Sequence, residues 1–104
     1  MQVYSVQLSE PAEEDVCDIV LYISKTLFSP SAAIKMADAF DDAWFKLAKD
    51  PHLYALVRDK ELAARGVRSI YVKNYSAFFV INELTHVVDV IRVLHHRQNW
   101  VSIL

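Results

Sequence analysis

The side chains best suited to chemistry gather in one stretch, Gly66 to Asn99: Arg68, Lys73, Tyr75, Arg92, His95, His96 and Arg97. Guanidinium and ammonium groups recognise phosphate or carboxylate, arginine in bidentate fashion. Histidine changes charge near neutral pH, so His95 and His96 are the best candidate proton donors. Tyr75 and Trp100 read as packing residues first, with base stacking as the alternative use of their aromatic faces. Two readings of the arginines stand. In one, Arg92 pairs with a carboxylate such as Asp38, Asp41 or Asp42. In the other, Arg68 and Arg92 together form an anion-recognising spot.

Other chemistries are poorly served. The chain has one glycine, so it cannot build a glycine-rich phosphate loop. His95 and His96 are neighbours on an expected strand, face opposite ways, and make a poor pair of ligands for one ion. No metal and no cofactor are expected. His52 and His86 fall in expected loops and are given no role. The acidic group Asp38, Asp41 and Asp42 reads as a solvated helix face that a basic partner can also use.

These side chains must be positioned by strands. Val67 to Lys73 is rich in β-branched and aromatic residues and ends at Asn74. Ser76 to Ile81 is a second apolar run, closed by Asn82-Glu83, and Val87 to Leu94 is a third. Short spacers make the three an antiparallel meander. Strict alternation puts Val88, Val90, Arg92, Leu94 and His96 on one face of the last strand.

Upstream, residues 2 to 8 read as a first strand with Tyr4, Val6 and Leu8 buried. Ser9 caps a helix that runs to about Leu27, with Pro11 in its first turn. Ser29-Pro30 restarts a second helix, which continues to about Asp50 and is stopped by Pro51. Apolar stripes at helical spacing run through Ala12, Val16, Ile19, Val20, Ile23 and Leu27, and through Ala33, Met36, Ala37, Phe40, Trp44, Leu47 and Ala48. Ala55 to Val57 is extended. Lys60 to Arg65 makes a turn of helix, ending at Gly66. The order is β-α-α-β-β-β: an α+β domain, residues 1–104, with a helical hairpin packed on an antiparallel sheet.

Composition bounds the function. The 104 residues are 54% hydrophobic and 23% charged, enough for one core, and the net charge of −2 offers no general field for nucleic acid. A single cysteine, Cys17, rules out an internal disulfide. The chain shows no signal peptide and no membrane span, so a cytoplasmic location is expected.

The order and spacing of several short pieces resemble the RelE/ParE superfamily of toxins from type II toxin–antitoxin modules, which serve in plasmid stabilisation. The pieces run from Tyr4 to Asn99. They are Val6, Leu8 and Ser9; the helix from Asp15 to Tyr22-Ile23; Ser29-Pro30 with Ala32-Ala33; Asp50-Pro51; Gly66-Val67-Arg68; Val72 with Asn74-Tyr75; and Ile91 to His95 with Arg97-Gln98. The resemblance implies a small toxin neutralised by a cognate antitoxin that wraps it, with the off-stripe residues Leu21, Tyr22 and Phe45 suited to docking. It implies one of two mechanisms. The first is ribosome-associated endoribonuclease cleavage of mRNA. There Arg68, Arg92 and His95 or His96 act as catalytic residues, and Lys73, Tyr75 and Arg97 contact substrate. The second is non-enzymatic inhibition of DNA gyrase, with those residues as scaffold. An inactive homologue that only binds antitoxin is a third outcome.

Overall fold

A computed structural model describes residues 3–104. Strand β1 (Ser5–Leu8) leads into helix α1 (Glu10–Leu21), and a π-helical turn (Tyr22–Thr26) extends it. Helix α2 (Pro30–Lys49) returns antiparallel to α1 and ends at a 3-10 turn (Pro51–Leu53). A short helix α3 (Lys60–Ala64) precedes strands β2 (Arg68–Val72), β3 (Tyr75–Asn82) and β4 (Val87–His95). A final turn of helix, α4 (Trp100–Ile103), was not expected from the sequence. The expected strand began at Gln2, which lies outside the described residues.

Local chemistry explains most boundaries. The Ser9 hydroxyl accepts from the Ala12 backbone N–H at 3.2 Å, and Glu10 and Glu13 sit in the favourable first turn of α1. Asp59 caps α3 in the same way through Leu62 N–H at 3.0 Å. Gly66 follows α3 at φ +82°, a backbone region that L side chains rarely enter. Ser29 corrects one expectation. Its side chain caps nothing, and only its carbonyl engages the helix, accepting from Ala33 N–H at 3.0 Å. The preceding Phe28 sits at φ +50° and turns the chain so that Pro30 alone sets the helix start.

The sheet has the order β1-β4-β3-β2. Strands β2, β3 and β4 form the expected antiparallel meander. Strand β1 departs from it, pairing with β4 in parallel, Ser5 beside Val87 and Leu8 beside Val90. The helices between β1 and the meander form a crossover that returns the chain in the direction β1 ran. The α+β class and the helical hairpin on one sheet face stand as read.

The main core lies between that hairpin and the sheet. Ala12, Met36, Phe40, Ala43 and Leu47 meet Ile70, Val72, Ala77, Phe79, Val88, Val90 and Val93. Phe40 and Phe79 are essentially sealed from solvent, each worth about 1.5–3 kcal/mol of burial. Leu27, expected on the α1 stripe, is 55% exposed because the π-turn rotates the end of the helix away. A second cluster on the opposite face joins Val57, Leu62, Val67, Phe78 and Leu94 beneath Trp100 and Leu104. Among the described residues, no helix is long and apolar enough to cross a membrane.

A β-bulge corrects the alternation expected on β4. Phe79 opposes Val90 while its neighbour Phe78 opposes Arg92, so Ile91 is the extra residue. Beyond it the faces exchange. Val93 joins Val88 and Val90 in the main core, and Leu94 joins the second cluster. The bulge turns Arg92 out at the point where β1 has already ended.

Candidate functional site

Arg92 stands where β4 loses its neighbour. Pairing with β1 stops at Leu8 and Val90, and the chain turns away into α1. Beyond that point β4 presents backbone groups with no strand to bind, a liability that folded proteins cover. Side chains do so here. The Ser9 hydroxyl donates to Ile91 C=O at 2.9 Å, Asp15 Oδ2 accepts from Val93 N–H at 2.9 Å, and Gln98 Oε1 accepts from His95 N–H at 2.8 Å.

Asp15 has a second task. Its two carboxylate oxygens accept from Arg92 Nε at 2.7 Å and Nη2 at 2.9 Å, a bidentate fork. The side chains are 15% (Asp15) and 31% (Arg92) exposed, so the pair is partly shielded from water. The hydrogen bonds from Arg92 to Asp15 raise the guanidinium pKa above its ordinary value, and the charge is permanent. Pairing of Arg92 with a carboxylate is thus as expected in kind, but the partner differs. Asp38, Asp41 and Asp42 are exposed on α2, with Asp42 bound to Lys46 at 3.0 Å. The reason is packing: α1 crosses β4, and Asp15 lies one turn after the buried Ala12. The signal was present in the sequence, because an acid three residues beyond Ala12 borders the buried stripe.

Arg68 is committed elsewhere. Its Nη1 donates to the Tyr54 carbonyl at 2.7 Å, holding the segment after α2 against the sheet. Strand β3 separates it from Arg92. The two arginines therefore do not form a shared anion spot.

The remaining candidates converge at the other end of the meander. Lys73 and Asn74 form the β2–β3 turn, Lys73 exposed with φ +54°. Tyr75 pairs with His95 across β3 and β4, and their rings meet edge to face at 5.3 Å. His95 is half-buried, and its Nδ1 accepts from Arg97 N–H at 3.1 Å. His96 is exposed, with its ring against Tyr71 at 5.1 Å. The two histidines thus turn to different aromatic neighbours, and His96 is the one that faces solvent. Arg97 is exposed in the turn that follows. Trp100 packs, stacked on Phe78 at 5.2 Å. Among the described residues, no three ligating side chains cluster as a metal site would need.

Two adjoining grooves open beside Phe78 and Trp100 on the sheet face away from the helical hairpin, the larger one reaching round the β2 edge to Lys46 of α2. One of about 310 Å³ is lined by Tyr71, Ser76, Phe78, His95, His96 and Trp100. A larger one of about 780 Å³ continues past Ser69, Leu56 and Arg58. Tyr71 is 76% exposed. The sequence reading missed Ser69, Tyr71 and Arg58 as groove residues. Alternation against the buried Ile70 and Val72 was the signal that Ser69 and Tyr71 face the other way. The grooves offer aromatic surface, hydroxyls and one exposed imidazole, which suit binding. Charge stabilisation on a phosphate needs cations free to meet it; both strand arginines are already bound, which leaves the exposed Arg58 on the wall of the larger groove.

Tyr4, His52, Glu83 and His86 form a further polar cluster at the opposite end of the sheet. Tyr4 OH donates to Glu83 Oε2 at 3.1 Å, and His52 Nε2 meets Glu83 Oε1. Tyr4 stacks on His86 at 5.1 Å. The bond to His52 is the main cause holding the Glu83 carboxyl below its ordinary value. Burial, then the bond to Glu83, raises the Tyr4 phenol. The cluster ties β1 to the β3–β4 turn.

The residues expected to dock a partner are on the surface: Leu21 is 44%, Tyr22 53% and Phe45 60% exposed. Lys49 lies over the Phe45 ring at 4.7 Å.

Comparison with known proteins follows the fold. Residues 6–100 match the family profile described as ParE toxin of type II toxin–antitoxin system, parDE. The structure is similar to the RelBE2 toxin–antitoxin complex from Mycobacterium tuberculosis, at 21% identity and a TM-score of 0.65, covering 90% of this chain and 99% of that one. It is also similar to the chromosomal ParDE toxin–antitoxin system from P. aeruginosa, at 18% identity and a TM-score of 0.71, covering 89% and 96%. No protein of curated function matches the sequence.

Proposed function

This chain belongs to the ParE toxin family of type II toxin–antitoxin systems, and we propose that it arrests growth by binding DNA gyrase, with no reaction of its own, until a cognate antitoxin sequesters it. One observation carries the choice of mechanism. The Arg92 guanidinium is closed in a bidentate fork on Asp15, and the same carboxylate caps Val93 N–H. A group that must meet a developing phosphorane charge has to present donors to substrate. In this arrangement Arg92 holds α1 to β4 and seals a sheet edge. Arg68 likewise works as scaffold through the Tyr54 carbonyl. The net charge of −2 points the same way, since a ribosomal RNA site favours a basic partner.

The second reading is ribosome-associated mRNA cleavage, favoured by the exposed His96 beside Tyr71 and Trp100 in an open groove. Under that reading His96 or His95 is the acid, Arg68 and Arg92 are released from their partners on the ribosome, and Lys73, Tyr75 and Arg97 touch RNA. A supercoiling assay separates the two. Purified toxin is added to gyrase, relaxed plasmid and ATP, and the same preparation is added to translating ribosomes with primer-extension readout. The proposal expects loss of supercoiling and uncut mRNA. Full supercoiling with cleaved mRNA overturns it in favour of the nuclease.

A further inference from the structure

Strand β2 is an outer strand of the sheet, and only the first part of its free edge is covered. The segment before α3 pairs with its start: Val57 N–H donates to Val67 C=O at 3.0 Å, and Ser69 N–H donates to Ala55 C=O at 3.4 Å. Those bonds fix the parity of the strand. Val67 and Ser69 turn their backbone groups outward, Arg68, Ile70 and Val72 bond to β3, and Tyr71 is the next outward residue. Among the described residues, nothing bonds to the outer N–H and C=O of Tyr71. Two residues on, Lys73 takes φ +54° and turns the chain back into β3. The open edge is therefore one residue, with a donor and an acceptor side by side. Folded proteins blunt such a gap with a charge, a proline or a cover. Here it carries a largely exposed aromatic ring.

On the hairpin side, Asp42 and Lys46 of α2 flank the same stretch of β2. Both line a cleft with Tyr71 and Lys73, and they are joined at 3.0 Å. Lys46 also reaches the groove at Ser69, so it lies toward the start of β2 and Asp42 toward its end. A two-fold axis at Tyr71 uses all of these features together. Tyr71 exchanges both backbone bonds with the partner subunit's Tyr71, a self-complementary contact. The two rings stand side by side on one face as a cross-strand pair. Because the axis inverts the direction of β2, Asp42 of each copy meets the partner's Lys46. The turn at Lys73 keeps the incoming strand clear of Ala55. We infer that the Tyr71 edge of β2 is the interface of a homodimer, in which two four-stranded sheets join edge to edge. Two strand bonds, one ring pair and two ion pairs make a small interface, so the dimer is weak, with Kd of roughly 1–100 µM. The inference does not depend on the cellular target. Pairing covers Tyr71, which walls both grooves, and so narrows the surface open to other molecules.

Cysteine placement tests the axis directly. The full chain carries Cys17→Ser, which removes its one native thiol, together with Tyr71→Cys or, as control, Leu84→Cys in the distant β3–β4 turn, where the residue is 97% exposed. Facing residues of a hydrogen-bonded antiparallel pair lie about 5.5 Å apart at Cα, within reach of a disulfide. Under air oxidation Tyr71→Cys is expected to give covalent dimer at least tenfold faster than Leu84→Cys. Sedimentation velocity of the parent chain is expected to show a dimer that grows with concentration. Exchanging charges adds a readout that a damaged fold does not imitate. Asp42→Lys and Lys46→Glu chains are each expected to stay monomeric, because like charges then meet across the axis, and to form a one-to-one dimer when mixed. A parent chain that stays monomeric at about 300 µM overturns the inference and leaves the edge to an extended segment of another protein. Cross-linking of Tyr71→Cys no faster than Leu84→Cys, or a mixture of the charge variants that stays monomeric while the parent dimerises, overturns it as well, since the contact then lies elsewhere.

Discussion

Breaking the Arg92–Asp15 fork gives the sharpest energetic consequence of this structure. Three hydrogen bonds converge on Asp15, at 2.7, 2.9 and 2.9 Å. Bonds to charged groups contribute roughly 1.5–3 kcal/mol each in mutational series, and less where water competes. Arg92 is 31% and Asp15 15% exposed, so the pair is neither a surface ion pair nor a fully buried one. Arg92→Ala leaves a half-shielded carboxylate with only Val93 N–H, at a cost of about 2 kcal/mol. Asp15→Ala also uncaps β4, and its cost rises to about 3 kcal/mol. The double variant is expected to fall short of additivity by about 1–1.5 kcal/mol, the coupling of the pair. For a domain of this size each 1 kcal/mol lowers Tm by roughly 4–8 °C, so Arg92→Ala should lose about 10 °C. Urea unfolding of the four proteins at neutral pH supplies the cycle. Arg92 with its raised pKa stays charged throughout, so the coupling is insensitive to pH above the carboxylate range. Parent-like stability in Arg92→Ala, together with a more than tenfold loss of RNA cleavage, refutes the reasoning, because the guanidinium would then be serving a phosphate.

Other perturbations test separate parts of the account. Trp100→Ala removes the ring stacked on Phe78 and uncovers the second cluster, and it is expected to cost about 2–4 kcal/mol in denaturant unfolding. Gly66→Ala has no atom within 4 Å to strike, so its cost of about 1 kcal/mol comes from φ +82° alone, and Gly66→Asn should recover part of it. The hydrogen bond to His52 holds the Glu83 carboxyl below its ordinary value, so its stabilising contribution is present above the ordinary carboxylate range and is lost as pH falls through the lowered value. Thermal melts across that range should show a steeper acid loss in the parent than in Glu83→Gln.

The sequence was most legible where one local rule governed the outcome. Ser9, Pro30, Pro51 and Gly66 mark element ends through caps, fixed φ and positive φ, and the elements end there. Apolar spacing placed Met36, Phe40 and Leu47 in the core. It was least legible where the outcome depended on contacts distant in sequence. Parallel pairing of β1 with β4 follows from the crossover, which no single window of sequence contains. The bulge at Ile91 is a property of two strands together, and it reverses the alternation for the residues that matter most, Arg92 to His96. The partner of Arg92 lies 77 residues away on α1, where its carboxylate serves a sheet edge that no local window of sequence reveals. The π-turn left no mark in a stripe that continued regularly to Leu27. The site reading named Lys73, Tyr75, His95, His96 and Arg97, which do gather at one end of the meander. It also joined Arg68 to Arg92, which β3 keeps apart.

Pulse labelling after toxin induction without antitoxin tests the central claim most directly. DNA synthesis and translation are followed in the same culture, with mRNA integrity mapped by primer extension. The account predicts that DNA synthesis falls first while mRNA stays intact, and that Arg92→Ala weakens the effect only as far as it destabilises the fold. Immediate collapse of translation with mRNA cut in the ribosomal reading frame, and DNA synthesis continuing, would contradict it.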